Sequence, residues 1–240
     1  MKKISLLLVA VFGLWMSVAG AETLQEAAVK KLIEPQLGDD VKVDSVTKTP
    51  YGGLFEVRVG NDIFYTDAGA KYVFVGRVMD AKTSRDYTRE RIDDINKVKF
   101  SDLPLDMAMK KVKGNGKRVI AVFEEPNCGY CKRLHKTTLQ EVDNVTIYTF
   151  LYNILAEDSA VKSRNVWCSA DQNKAWTELM ADGKAAPAAP SACQAPNDKV
   201  LALGRKLNVT GTPTIIFADG SRAPGWIDAK TMEAKFTSLK

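Results

Sequence analysis

The chain opens on an apolar run, Ile4 to Met16, preceded by Lys2 and Lys3 and followed by the small residues Val18-Ala19-Gly20-Ala21. A positive start, a short apolar centre and small residues before a cut site make up a secretory signal, with cleavage expected after Ala21. A membrane-spanning helix needs roughly 18 or more unbroken apolar residues, more than this run supplies. Residues 23–34 then predict a helix with Leu24, Ala27, Ala28, Leu32 and Ile33 on one side. After Gly38-Asp39-Asp40 the period falls to two, and Val41, Val43, Leu54, Phe55, Val57 and Val59 predict strands. Gly60-Asn61 marks a hairpin turn before the strand at 63–66, and Asp67-Ala68-Gly69 another before Tyr72-Val73-Phe74-Val75. Residues 22–80 thus read as a small antiparallel α+β domain. Its core is thin, and pairing with a second copy is the natural remedy.

Residues 81–102 are more charged, and Ile92, Ile95 and Val98 recur at spacings of three, which predicts a connecting helix. Residues 103–240 form the second domain. Its first element is expected to be helical, through Met107, Met109 and Val112. Arg118-Val119-Ile120-Ala121-Val122-Phe123 follows, a continuous apolar strand of the kind buried on both faces. A helix is predicted from Cys128 onward, with Leu134 and Leu139 along one side, and then a second apolar strand over 145–151. Strand, helix and strand in so short a span make a βαβ unit, parallel and right-handed. Further helices are expected over 157–180, 196–206 and near 228–238, with an Ala- and Pro-rich loop at 184–192 and a strand at Thr214-Ile215-Ile216-Phe217.

Charge excludes one class of partner. The 34 basic residues against 29 acidic give +5 over 240 residues, a surplus that shrinks once Lys2 and Lys3 are removed. Without a basic cluster interleaved with aromatics, no nucleic-acid partner is expected. The four cysteines matter more. In an exported chain an even count suggests two pairs. Cys168 and Cys193 bracket the Ala/Pro-rich loop and read as a structural disulfide, a second redox pair being the sharper alternative. Cys128 and Cys131 stand two residues apart at a predicted helix start. A thiolate attacks disulfides, and the N–H groups of a first helical turn favour an anion there. Lys132 and Arg133 add positive charge. Cys128 is therefore the expected nucleophile, an exposed sulfur, and Cys131, one turn along, its resolving partner. Zinc fits poorly, since only one close pair exists and His135 is the sole histidine. No metal or cofactor is expected, and His135 reads as packing or surface rather than catalysis.

The segment Phe123-Glu124-Glu125-Pro126-Asn127-Cys128-Gly129-Tyr130-Cys131-Lys132-Arg133-Leu134-His135 resembles the active site of the DsbC/DsbG family of periplasmic disulfide isomerases, with Gly129-Tyr130 closer to the DsbC branch. The similarity spans essentially the whole chain after the export segment, including Trp167-Cys168. It implies a thioredoxin-like catalytic domain with a helical insertion, joined by a linker helix to a small cystatin-like dimerisation domain. Gly211-Thr212-Pro213-Thr214 matches the family's element facing the active site. By resemblance, Pro213 follows a cis bond, and Thr212, Pro213, Gly129 and Tyr130 contact the substrate. Thioredoxins commonly carry a buried acid six residues before the first cysteine. Val122 stands there, leaving open whether Glu124 or Glu125 serves instead.

The resemblance further implies a homodimer, misfolded disulfide-containing exported proteins as clients, chaperone behaviour, and a membrane reductant of the DsbD type in the periplasm. Disulfide isomerase or reductase is the leading expectation. A disulfide-donating oxidase, a chaperone with a secondary redox site and a dedicated reductant of one client are the alternatives. The helix-start thiolate predicts a potential more oxidising than thioredoxin's, about −270 mV.

Overall fold

The computed structural model describes residues 23–239. The expected export segment, 1–21, and its cleavage after Ala21 lie outside the described residues. Two compact units divide between Gly76 and Arg77. No helix among the described residues is long and apolar enough to cross a membrane.

In the first unit Thr23 caps helix α1 (Leu24–Ile33). Its hydroxyl accepts from the Glu26 N–H at 3.3 Å, and the Glu26 carboxylate accepts from the Thr23 N–H at 2.8 Å. This reciprocal box satisfies two otherwise orphaned N–H groups. The helix buries Val29 and Ile33, one turn apart, against Val43, Val46, Phe55 and Val57. Of the face expected from the sequence Ile33 is buried, but Leu24 is 94% exposed and Leu32 48%, and Val29 takes their place. The helix is rotated because the sheet's apolar side accepts the branched pair. That sheet is antiparallel, in the order β1 (Ser45–Lys48), β2 (Phe55–Val59), β3 (Asp62–Thr66) and β4 (Val73–Phe74). Gly60, with φ +62°, turns the β2–β3 hairpin. Val41 and Val43, expected in a strand, have no regular structure. The Val43 N–H instead meets the Glu34 carboxylate at 3.1 Å.

The second unit begins with helix α2 (Tyr87–Ile95), capped by Asp86. Met107 to Val112 is not helical. A 3-10 turn at Leu105–Met107 leads into strand β5 (Met109–Lys113), which pairs antiparallel with β7 (Val145–Leu151). Only Met109 of β5 is fully buried, and Lys110, Lys111 and Lys113 line this edge, so its apolar residues are too few to reveal a period of two. The central strand β6 (Arg118–Glu124) runs parallel to β7 and antiparallel to β8 (Thr214–Phe217). The sheet order is β5-β7-β6-β8-β9, with β9 at Arg222–Pro224. Along β6, Ile120 and Val122 enter one core with Leu134, Ile215 and Phe217. Ala121 and Phe123 enter the opposite core with Phe150, Val200 and Ile216. Covering both faces requires the unbroken apolar run.

Helix α3 (Gly129–Lys136) and a short α4 (Thr138–Glu141) connect β6 to β7. The stretch 157–180 is two helices, α5 (Ser159–Trp167) and α6 (Gln172–Asp182). Asp171 breaks it by accepting the Lys174 N–H at 2.9 Å as a new cap. Helices α7 (Asn197–Lys206) and α8 (Ala229–Ser238) complete the unit.

Candidate active site

Strand β6 delivers the chain through Glu125-Pro126-Asn127 to Cys128, the cap residue of α3. The Cys131 N–H donates to Cys128 Sγ at 3.3 Å, so the sulfur occupies the position of a capping oxygen where helix N–H groups converge. On its other side the Cys128 thiol donates to the Thr212 carbonyl at 3.2 Å. The Thr212–Pro213 bond is cis, and Pro213 is buried at the entry to β8. The structure thus brings Cys128, Cys131, Thr212 and Pro213 together, with Gly129 exposed and Tyr130 62% exposed beside them.

The two sulfurs differ in access. Cys128 is 5% exposed, less than its sequence position suggested, and Cys131 is wholly buried. Burial pushes the Cys131 thiol up strongly, the negative charge of Glu124 adds to this, and the Glu125 N–H opposes it. Of the flanking cations, Arg133 stacks its guanidinium 3.6 Å from the Trp226 ring centre.

The adjacent glutamates divide their work. Glu125, wholly buried, ties down the loop. Its carboxylate accepts the Asn127 N–H at 2.6 Å and the Ser159 hydroxyl. Asn127 in turn donates to Asp158 at 2.8 Å and accepts from Lys162 at 2.6 Å. Glu124, equally buried, sits on the β6 face shared with Val122. Its Oε2 lies 3.0 Å from His135 Nε2, 3.1 Å from the Trp176 indole N–H and 3.5 Å from the Thr149 hydroxyl. His135 is therefore packed, as the sequence suggested, and is also bonded to an acid behind the active site. The sequence alone does not point to Trp176. Its signal is weak, because it comes from α6, some fifty residues away in sequence.

Cys168 and Cys193 form a disulfide that closes the segment containing α6. The Arg164 guanidinium reinforces it through the carbonyls of Cys193 at 3.1 Å and Pro190 at 2.7 Å.

A cysteine pair at a helix start, on a sheet with a buried parallel centre and facing a proline loop, defines a thioredoxin-like thiol–disulfide oxidoreductase. Comparison with known proteins agrees. Residues 105–240 match the family model described as a thioredoxin-like domain, and residues 20–89 that of the disulfide bond isomerase protein N-terminal domain. The probable thiol:disulfide interchange protein DsbC of Bordetella avium is 50% identical over 210 residues, 88% of this chain and 74% of that one. DsbC of Escherichia coli K12 is 27% identical over 92% of each chain. Among solved structures, a disulfide interchange protein of Neisseria gonorrhoeae aligns at a TM-score of 0.53 and 37% identity, over 57% of this chain and 97% of that one. The chain belongs to the DsbC family of thiol–disulfide interchange proteins. Its activity is thiol–disulfide interchange through the Cys128–Cys131 pair.

Proposed function

We propose that this enzyme isomerises or reduces incorrect disulfides of exported proteins in the periplasm, with Cys128 as nucleophile and Cys131 as resolving thiol. The observation that carries the assignment of roles is the difference in burial between the sulfurs, with Cys128 at the helix cap and Cys131 sealed beneath it. In the first step Cys128 bonds to one client sulfur and releases the other. The client's freed thiol can then attack elsewhere, which is isomerisation, or Cys131 can close on Cys128, which reduces the client. Forming the mixed disulfide removes the Cys128 S–H, so the Thr212 carbonyl loses its donor and becomes available to a client N–H. Backbone pairing of this kind reads no sequence and suits varied clients. Exposed Tyr130, Ile154 and Leu155 offer apolar contact for unfolded segments.

The pair works in this direction only when kept reduced, for which a membrane reductant of the DsbD type is the partner. The first unit, one helix on a four-stranded antiparallel sheet, supports the cystatin-like reading. Tyr72, Val73, Phe74 and Val75 leave the outer strand β4 exposed and apolar, which supports homodimerisation there. Helix α2 lies within the stretch 81–102, the proposed linker. An export signal cleaved after Ala21 would deliver the chain to the oxidising side.

The test pairs two clients. In a buffer of reduced and oxidised glutathione, which supplies the oxidant, the enzyme speeds recovery of a scrambled multi-disulfide protein more than it speeds oxidation of a fully reduced one, and C128A abolishes the rescue. Rescue that survives C128A would leave only a chaperone, and oxidised 128/131 thiols in growing cells would indicate an oxidase.

A further inference from the structure

Resolution by Cys131 sets a problem in charge. The attacking form is a thiolate, yet burial and Glu124 both oppose its ionisation. The proton must therefore go to a group in the interior, and two buried carboxylates lie close to the pair. Both oxygens of Glu125 are engaged, by the Asn127 N–H and the Ser159 hydroxyl. Glu124 is different. Three donors crowd Oε2, while Oε1 is buried without any hydrogen-bond partner. An orphaned buried oxygen costs free energy and calls for a reason.

Helix geometry turns Cys131 toward the side of the site where the Glu124 carboxylate lies. Cys131 and His135 are one turn apart on α3 and share a face, and His135 reaches Glu124. The face carrying Cys131 is thus the one turned toward the carboxylate. Every element packed around Glu124 contributes: α3 gives Cys131 and His135, α6 gives Trp176, β7 gives Thr149, and β5 gives the charge of half-buried Lys111. His135, Thr149 and Trp176 also line a cavity of about 60 Å³ together with Lys111, Lys113 and Thr177. That is room for one or two waters among polar partners.

We propose that Glu124 is the proton acceptor for Cys131, with Oε1 taking the thiol proton while Trp176 and His135 act as positioning residues that hold Oε2. The proposal rests on the cysteine roles given above. In the step, the Cys131 S–H bond breaks and Glu124 becomes a neutral acid. The Cys131 sulfur then bonds to Cys128 Sγ, and the Cys128–client bond breaks. The client sulfur leaves with the electron pair and is reduced, and the cysteine pair is oxidised. The proton afterwards leaves for solvent, restoring the carboxylate. Glu124 thus does from the end of β6 what an acid two residues earlier, where Val122 stands, would do from the same face.

The test uses the reduced full-length enzyme and 5,5′-dithiobis(2-nitrobenzoic acid). The first coloured thiolate released reports attack by Cys128, and the second reports resolution by Cys131. E124Q is expected to slow the second release about 100-fold more than the first, the range of a lost general base. W176F removes a donor that steadies the charged carboxylate. It therefore moves the pH midpoint of the second release upward. Equal slowing of both phases in E124Q, or an unaltered second phase, would overturn the proposal. Should E124Q fail to fold, W176F and H135Q keep the carboxylate and decide alone. A second phase with the native pH profile in both refutes the role. A first release that persists in C128A refutes the cysteine assignment instead, so the two failures are distinct.

Discussion

Replacing Cys168 and Cys193 by alanine should destabilise the second unit by about 3.5 kcal/mol. The bridge joins residues 25 apart, and the chain-entropy model for a loop of that length gives this value at 25 °C. The loss acts through the unfolded chain. Arg164 still holds the carbonyls of Pro190 and Cys193, and Asn165 still accepts the Ala189 N–H at 2.9 Å, so the folded loop keeps its anchors. Against a usual stability of roughly 5–15 kcal/mol the change is large. Urea unfolding followed by tryptophan fluorescence is the assay, because Trp167, Trp176 and Trp226 all lie in the second unit. Measured in a C128A/C131A background, no free thiol can reshuffle the bridge. The slope against urea should rise as well, since the unbridged chain exposes more surface on unfolding. A loss below about 1 kcal/mol with an unaltered slope would refute the entropic account.

Three further outcomes follow from particular residues. Brief treatment of the reduced native protein with iodoacetamide should modify Cys128 well before wholly buried Cys131, as peptide mass spectrometry would show. Because folding raises the Cys131 thiol, the folded state keeps a proton that the unfolded state loses above about pH 8.5. Stability of the dithiol form should therefore fall with rising pH there, by up to about 1.4 kcal/mol per unit, while the disulfide form lacks this contribution; parallel pH–stability curves for the two would contradict it. Gly220 has φ +81°, and a Cβ on it would lie 2.0 Å from the Val98 carbonyl oxygen, so G220A should cost more than about 2 kcal/mol in thermal or urea unfolding.

Much of the second unit could be read from the chain because β6 and β7 are buried on both faces, and such strands announce themselves as apolar runs. Strand β5 could not. It has a single buried residue and three lysines, and the spacing of Met109 and Val112 with Met107 of the preceding turn fits a helix as well as a strand. The first helix was legible as an element but only partly in its facing, since Leu24 and Leu32 compete with Val29 for the side that Ile33 shares and only the sheet decides. At the site, the cysteine spacing and Thr212-Pro213 carried the chemistry. Glu124 stayed one of two candidates because neighbouring strand residues point to opposite faces, and a sequence does not say which partners each meets. His135, one turn beyond Cys131, did carry a signal. Its face was known, and the acid it meets was not.

The rims of the catalytic sheet have a consequence for a protein that exchanges disulfides with other chains. A sticky client strand could zip onto any open border and seed a growing aggregate. On one border exposed Lys110 sets a charge and its carbonyl is already taken by the Asn173 side chain, and on the other a three-residue strand ends at Pro224, which has no N–H to give. The enzyme can thus be joined to another chain through its sulfur without becoming a template for it.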